Sequence, residues 1–439
     1  MKQLNPRRRA SSDESNPRQA ARPKRQFQQR QPSDFRSQPR HQGTAASQHD
    51  SETDSPSKRL DDSLNRIWSI AATVIKRSQE QTKPADDVLR DTLRKEEELS
   101  PMLGREIARA VFSYYRWFGW LGKTRPLPAV LRQAVEMADA FAMDNASITD
   151  DSLIEHCVPG WVSKVLPISV NWLRSIQFDP ELWLRARRGS ANALADCLGH
   201  CRKPPGAVLS DALCYGGATD LFRTPEFHAG KFELQDITSQ AVALVCAPEP
   251  RETWWDACAG EGGKTLHLSE LMENSGLIWA SDRASWRLQR LKRRAARARI
   301  FNYRSVPWDG GSRPPTKTKF DGVLVDAPCS GIGTWQRNPQ ARWTTSVNDV
   351  IELAAIQKRL LANVAESIKP GGKLIYSVCT MTAAETSEVA AAFAGARNDF
   401  EPMSFPNPFV SGEPESSQQF WWPHETKGNG MFVAAWRRR

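Results

Sequence analysis

Three glycines within four residues, Gly260, Gly262 and Gly263, constrain this chain more than any other feature. An apolar lead-in around Val242, Leu244, Val245 and Trp254-Trp255 precedes them, and Leu266, Leu268, Leu271 and Met272 follow. The stretch Asp256-Ala-Cys-Ala-Gly-Glu-Gly-Gly-Lys-Thr265 therefore reads as the turn from a strand into a helix. A glycine there lets the backbone turn tightly and approach a ligand, while the helix behind it presents unpaired N–H groups. In an open α/β sheet, that crevice is where a cofactor sits. The stretch is not a Walker A loop, because Cys258 stands where that motif needs its first glycine. Nor is it a dinucleotide fingerprint, because Thr265 stands where the third glycine belongs.

Downstream, strand and helix signals alternate, which predicts a mostly parallel sheet. A second strand spans 277–281 and ends at Asp282, and a helix runs through Leu288 and Leu291. A buried strand spans 320–325 and ends at Asp326. A helix over 351–368 and a strand over 373–377 follow. Acids thus stand at three strand ends, Asp256, Asp282 and Asp326, and Asp282 is spaced to hydrogen-bond ribose hydroxyls of an adenosine-containing cofactor. The helix 283–299 carries eight Lys/Arg, among them Arg287, Arg290, Arg294 and Arg297. That density suits an RNA-facing surface or a solvated helix.

Two cysteines follow neighbouring strands. Asp326-Ala-Pro-Cys329-Ser-Gly-Ile-Gly leaves one, and Tyr376-Ser-Val-Cys379-Thr leaves the next. Both project at the sheet edge that carries the glycine turn, where a thiol is half exposed and open to ionisation. A pair of such thiols beside a cofactor loop points to thiol chemistry.

Charge bears on the partner. The chain carries +10 overall, which favours an acidic partner, yet residues 1–60 hold 13 Lys/Arg against 6 Asp/Glu and leave only about +3 for the rest. A basic groove must then come from local clustering. That first stretch is rich in Arg, Gln, Ser and Pro, with Phe27 and Phe35 its only aromatics. It is expected to be a disordered basic tail, holding RNA weakly or serving only solubility. From 61 to 157 apolar residues recur at helical spacing (Leu64, Ile67, Trp68, Ala71, Val74, Ile75; then Ile107, Val111, Tyr115, Phe118; then 129–143), predicting a helical bundle. On its polar side Arg105, Arg109 and Arg116 face RNA or solvent. Residues 158–241 read as a small α+β module, with a strand over 181–187 and a helix over 190–198. The eight cysteines form no disulfide framework, and Cys197, His200 and Cys201 lack a second ligand pair, so no metal is expected. No apolar run is long enough to span a membrane and no signal core opens the chain, which predicts a cytoplasmic protein.

On these motifs the sequence resembles the Sun (Nop/Sun) RNA cytosine-5 methyltransferases, in particular the bacterial branch with an N-terminal helical domain like that of the antitermination factor NusB. Five stretches carry the likeness: 213–240 with Gly230-Lys-Phe-Glu-Leu-Gln-Asp236 and Ser239-Gln240, the glycine turn 256–265, the two cysteine motifs 326–343 and 376–380, and the closing Gly430-Met-Phe-Val-Ala-Ala. The likeness covers about 158–438; the helical region matches in pattern only and the tail not at all.

The resemblance implies a class I, Rossmann-like fold with a seven-stranded, mostly parallel sheet over 242–439, preceded by an RNA-binding α+β linker module and an all-α domain. It implies S-adenosylmethionine as cofactor, held by Cys258, Ala259, Gly260, Glu261, Gly262, Gly263 and Lys264, with Asp282, Arg287, Asp309 and Asp326. Cys379 would attack carbon 6 of cytosine, Cys329 would assist release, and Asp326 and Lys264 would complete the catalytic set. Pro328 and Arg337 would contact substrate. The implied partner is ribosomal RNA, with transfer RNA as the other candidate, and the implied state is a monomer. The chain departs from the family pattern at Glu261 (commonly Pro), Val378 (Thr), Gln336 (Arg) and Gln340 (often Asp); the loop changes bear on substrate placement. DNA cytosine methyltransferases attack with the Pro-Cys cysteine and amino-methylating enzymes carry an Asn/Asp-Pro-Pro motif, and neither pattern fits. A catalytically silent RNA-binding assembly protein is the reading from another class; two exposed thiols argue against it.

Overall fold

A computed structural model describes residues 56–439, apart from 97–98, 123 and 205–208. A bundle comes first, of helices Pro56–Gln81, Ala85–Lys95, Pro101–Trp117 and Leu127–Met143. The first begins inside the segment assigned to the tail, and the rest of that tail lies outside the described residues. Helix Pro101–Trp117 starts on a built-in stop: the Ser100 side chain accepts from the Leu103 N–H, and Pro101 sits where a missing N–H costs nothing. Ile67, Ala71, Val74, Ile75, Ile107 and Val111 form the shared core, whereas Leu64, expected inside, is exposed. Arg116 does not face RNA or solvent. It is 3% exposed, donating to Asp179 (2.6 Å) and to the Gln336 carbonyl (3.3 Å). Short helices, Asp150–His156 and Val170–Ser175, continue the α region beyond residue 157.

A small antiparallel sheet follows, built from β1 (Leu182–Ala186), β2 (Cys201–Arg202), β3 (Ala212–Tyr215) and β4 (Phe232–Leu234) in the order β2-β3-β1-β4. The helix Ala191–Leu198 crosses it.

Next comes a correction to the apolar lead-in: Val242, Leu244 and Val245 lie on a helix, Ile237–Cys246, opened by Asp236, whose carboxylate accepts from the Thr238 N–H. The main sheet comprises β5 (Thr253–Asp256), β6 (Leu277–Asp282), β7 (Tyr303–Pro307), β8 (Phe320–Asp326), β9 (Ile368–Val378), β10 (Phe400–Pro402), β11 (Gln418–Trp421) and β12 (Met431–Arg438). The order is β10-β12-β9-β8-β5-β6-β7, with β11 also paired to β12. The five strands from β9 to β7 are parallel, and β12 runs antiparallel to β9. Eight strands thus fill seven positions, because β10 and β11 pair with opposite halves of β12.

Alternation along β5 builds both layers. Trp254 packs on one face with Ile278, Leu324, Ile375 and Val433, and Trp255 on the other with Val323, Val325, Leu374 and Tyr376. Both indoles are fully buried. Gly322 makes room for the first, since a Cβ there would lie 2.3 Å from the Trp254 ring.

Candidate active site

The site grows from the carboxyl ends of β5, β6, β8 and β9. After Asp256 the chain is guided by backbone bonds: Ala257 N–H donates to the Leu324 carbonyl and Ala259 N–H to the Ser281 carbonyl. Gly260 N–H then donates to Asp282 Oδ2 at 3.0 Å, while Asp282 Oδ1 accepts from Ala284 N–H at 2.8 Å. Gly262, at φ +87°, caps the helix Gly263–Leu271; a Cβ there would meet Leu291 Cγ at 2.6 Å. Gly260, at φ +54°, faces open space.

At the end of β8, Asp326 is held from two sides. Lys264 Nζ donates to Oδ2 at 2.7 Å and Ser377 Oγ, its register partner on β9, donates to Oδ1 at 2.8 Å. One turn further, the Cys329 and Cys379 sulfurs lie 3.3 Å apart. Both cysteine loops hang on one buried acid that sequence reasoning missed. Glu385 accepts from Ser330 N–H, next to Cys329, and from the Thr380 and Thr382 hydroxyls, the first of them next to Cys379. Gln357 Nε2 joins it and also donates to the Pro328 carbonyl. The cluster of threonines around an acid six residues past Cys379 was the available signal.

The strand ends and the glycine turn border one cavity of about 520 Å³. Cys258, Ala259, Gly260, Glu261, Gly263, Lys264, Asp282, Arg287, Asp309, Asp326, Pro328, Cys329 and Cys379 all reach it. Two expected residues do not: Gly262 lies behind it as the helix cap, and Arg337 lines a separate cavity. Ser239, expected only as part of the segment 213–240, lines it too, as do Trp308 and Arg359, which the sequence did not point to. The Arg-rich helix is only partly free, since Arg294 and Arg297 are spent on the buried Glu233 and Arg290 on Glu261.

Burial sets the charges. It pushes the Asp256 carboxyl up to about 7, the Thr265 hydroxyl bond opposing and Asp326 reinforcing. Burial works against the Lys264 ammonium, but the Asp326 carboxylate outweighs it and holds that pKa above the ordinary lysine value. The hydrogen bond to Cys379, followed by burial, raises the Cys329 thiol well above its usual range. Cys258 is likewise driven up, by burial and three neighbouring carboxylates, which leaves it an unreactive thiol.

A glycine turn at the switch between parallel strands, acids at three strand ends and an antiparallel β12 define a class I methyltransferase fold. Residues 243–437 match the family model described as 16S rRNA methyltransferase RsmB/F. A "Ribosomal RNA small subunit methyltransferase B" of Salmonella typhi is 30% identical over 324 residues, 70% of this chain and 71% of that one. A "Probable ribosomal RNA small subunit methyltransferase B" of Synechocystis is 36% identical over 237 residues, 52% of each chain. The chain belongs to the RsmB/F family, within the Sun group. The solved structure "Crystal Structure of PH0851" shares the fold, with TM-score 0.70, 22% identity, 85% of this chain covered and 99% of that one. The chain spans about half the length of several curated relatives it matches. It spans 29% of a human "28S rRNA (cytosine(4447)-C(5))-methyltransferase" to which it is 30% identical over 243 residues.

Proposed function

We propose that this chain is an S-adenosylmethionine-dependent RNA cytosine-5 methyltransferase acting on small-subunit ribosomal RNA. The observation that carries the reading is the pair of thiols 3.3 Å apart beside the Lys264–Asp326 ion pair. The cavity fits the cofactor on two counts: among the described residues Asp256 Oδ1 is buried without a partner, and the space over Gly260 is open for a ligand to approach backbone. Glycine turn, Asp282 and Asp309 would hold it, with Arg287 beside Asp282. S-adenosylmethionine supplies an electrophilic methyl group.

Carbon 5 of cytosine is a weak nucleophile, so the protein must add electrons to the ring. Cys379 does so by bonding to carbon 6. Asp326, fixed by Lys264 and Ser377, meets the ring edge and stabilises the charge and proton that the addition places there. Lys264 lies within electrostatic reach of Cys379. Cys329 keeps its proton during the attack, held by the hydrogen bond to Cys379 and by burial; once Cys379 is bonded to carbon, Cys329 gives that proton up to solvent and takes the carbon 5 proton in its place. The carbon–sulfur bond then breaks and the ring is restored. Reaching carbons 5 and 6 requires the base out of its stack, which selects single-stranded or remodelled RNA. Pro328 shapes the pocket floor, and Arg337 contacts the strand outside it. The same reading makes the enzyme a cytoplasmic monomer whose NusB-like bundle and tail influence target choice; among the described residues no helix is long and apolar enough to cross a membrane.

The test is transfer of labelled methyl to unmodified ribosomal and transfer RNA with nucleoside identification. Wild type is expected to give 5-methylcytosine on ribosomal RNA, Cys379→Ala none, and Cys329→Ala a denaturant-resistant protein–RNA adduct. RNA binding without any methylated cytosine would overturn the enzyme reading.

A further inference from the structure

Beside the cysteine cavity lies a second one of about 240 Å³, closed by the small sheet, the loop after Cys329 and the turn before β12. The two share a single turn. Gln235 and Asp236 face the smaller cavity and Ser239 the larger, and Gln235 Nε2 donates to the Ser239 carbonyl. The opposite wall is tied to the Cys379 backbone: Gly333 N–H donates to the Cys379 carbonyl at 3.0 Å and Gly430 N–H to the Gly333 carbonyl at 2.7 Å. A ligand here therefore sits one step from the base in the larger cavity, against walls that carry no slack.

The chemistry of the lining is specific. Phe222 is 56% exposed, its ring packed edge to face with Phe227. Arg337 and Lys427 are exposed as well, and among the described residues the side chain of neither forms an ion pair or hydrogen bond. Two acids also line the groove, and neither pairs with these cations: Glu181 Oε1 pairs with Arg202, and Asp236 accepts from Thr238 N–H and Asn429 N–H. Lys427 is moreover held at φ +57°, a conformation glycine adopts at lower cost. A flat aromatic face next to two unneutralised cations matches the two halves of a nucleotide, base and phosphate.

We propose that this groove holds a nucleotide neighbouring the target cytosine, its base stacked on Phe222 and its phosphate between Arg337 and Lys427. The assignment rests on the RNA substrate proposed above and deepens it. It makes placement of the strand, not chemistry, the task of these three side chains.

Steady-state methyl transfer to unmodified small-subunit ribosomal RNA, measured across a salt series, tests it with Phe222→Ala, Arg337→Gln, Lys427→Gln and the double cation variant. Each single change is expected to raise KM roughly ten-fold with kcat within about two-fold, the size of one lost stacking or phosphate contact. Each cation removed should lower the log–log salt slope by about 0.7. Arg437→Gln, at the far end of β12, is the control and should change neither. All the changes lie at exposed positions, so circular dichroism should be unaltered. Variants that match wild type in KM and salt slope overturn the groove. If wild type transfers no methyl at all, the cysteine reading fails by itself. The groove is then judged by RNA affinity in the same variants: a loss supports it, and unchanged affinity overturns it.

Discussion

At the scale of single residues, the most informative side chain is one that forms no ion pair. Asp256 is fully buried, accepts one bond from Thr265 Oγ1 at 2.6 Å, and titrates near 7 against an ordinary 3.8. Between those values the folded protein binds a proton the unfolded chain has released. Stability contributed by the neutral carboxyl is therefore complete below about pH 4 and is lost as pH rises to about 7. The loss is at most about 4 kcal/mol, at about 1.4 kcal/mol per unit. Urea midpoints of wild type and Asp256→Asn between pH 4 and 8 should converge at the acid end and separate towards neutrality, the variant being the more stable there. Parallel curves would show that the carboxyl is not buried neutral. The sequence located this acid at a strand end, along with Asp282 and Asp326, because apolar runs that stop at an acid are visible in one dimension. Burial of that acid was not visible, since it depends on what the following helix brings over it. Glu385 was hidden for a related reason: its partners Ser330 and Gln357 are 55 and 28 residues away in the chain.

Among the elements, those with a strong period were legible and those without were not. The strands ending at Asp282 and Asp326 and the helix Ser285–Arg297 stand where alternation and helical spacing put them. The helix Ile237–Cys246 is buried on most sides, so its apolar residues show no stripe and read as part of a strand. Strand β7 is an edge strand, paired on one side to β6, with no residue fully buried and no apolar alternation to betray it. The glycine turn illustrates how an element and its neighbour are fitted. Gly262→Ala would put a methyl group 2.6 Å from Leu291 Cγ and a side chain at φ +87°. We expect a loss of roughly 2–4 kcal/mol from strain and overpacking together. Adding Leu291→Ala should recover the packing part, making the double variant less destabilised than the sum of the singles. Thermal melts of the four proteins decide; strict additivity would separate the turn from the helix Ser285–Arg297.

Over the whole molecule, the loop that begins at Cys329 ends inside the helical region. Arg342 is fully buried; among the described residues it has no acidic partner and is surrounded by oxygens and the Cys157 sulfur. It donates to Gln177 Oε1 at 2.7 Å and to the carbonyls of Ile176, Trp335 and Arg116, and burial lowers its pKa to about 10. Gln340 works beside it, accepting from Ala85 N–H and donating to Ser78 Oγ. The departure from the family's Asp at 340 thus also bears on how the loop is anchored to the bundle, since an amide accepts and donates at once where a carboxylate only accepts. Trp343 Nε1 adds a bond to the Tyr115 carbonyl. Arg342→Ala leaves three oxygens unpaired around a void, the Arg116 carbonyl keeping its bond from Gln177 Nε2, and should cost roughly 3–5 kcal/mol. Because these bonds join bundle and sheet, wild type should unfold in one transition by both helical and tryptophan signals, and the variant should show the two signals parting. A single coincident transition in Arg342→Ala would mean the anchor is dispensable.

The anchor also sets an order of events during synthesis. The bundle leaves the ribosome before the sheet, but the Arg116 carbonyl must wait 226 residues for Arg342 and the Ala85 N–H 255 for Gln340. At elongation rates of about 5–20 residues per second, that is on the order of 10–50 seconds. Throughout that interval the aromatic wall of Phe112, Tyr115 and Phe118, which in the finished protein borders a cavity with Trp343, is open to other chains. A nascent chain stalled before residue 340 therefore presents a sticky helical domain and no usable cysteine pair, so its hazard is aggregation and never misdirected chemistry.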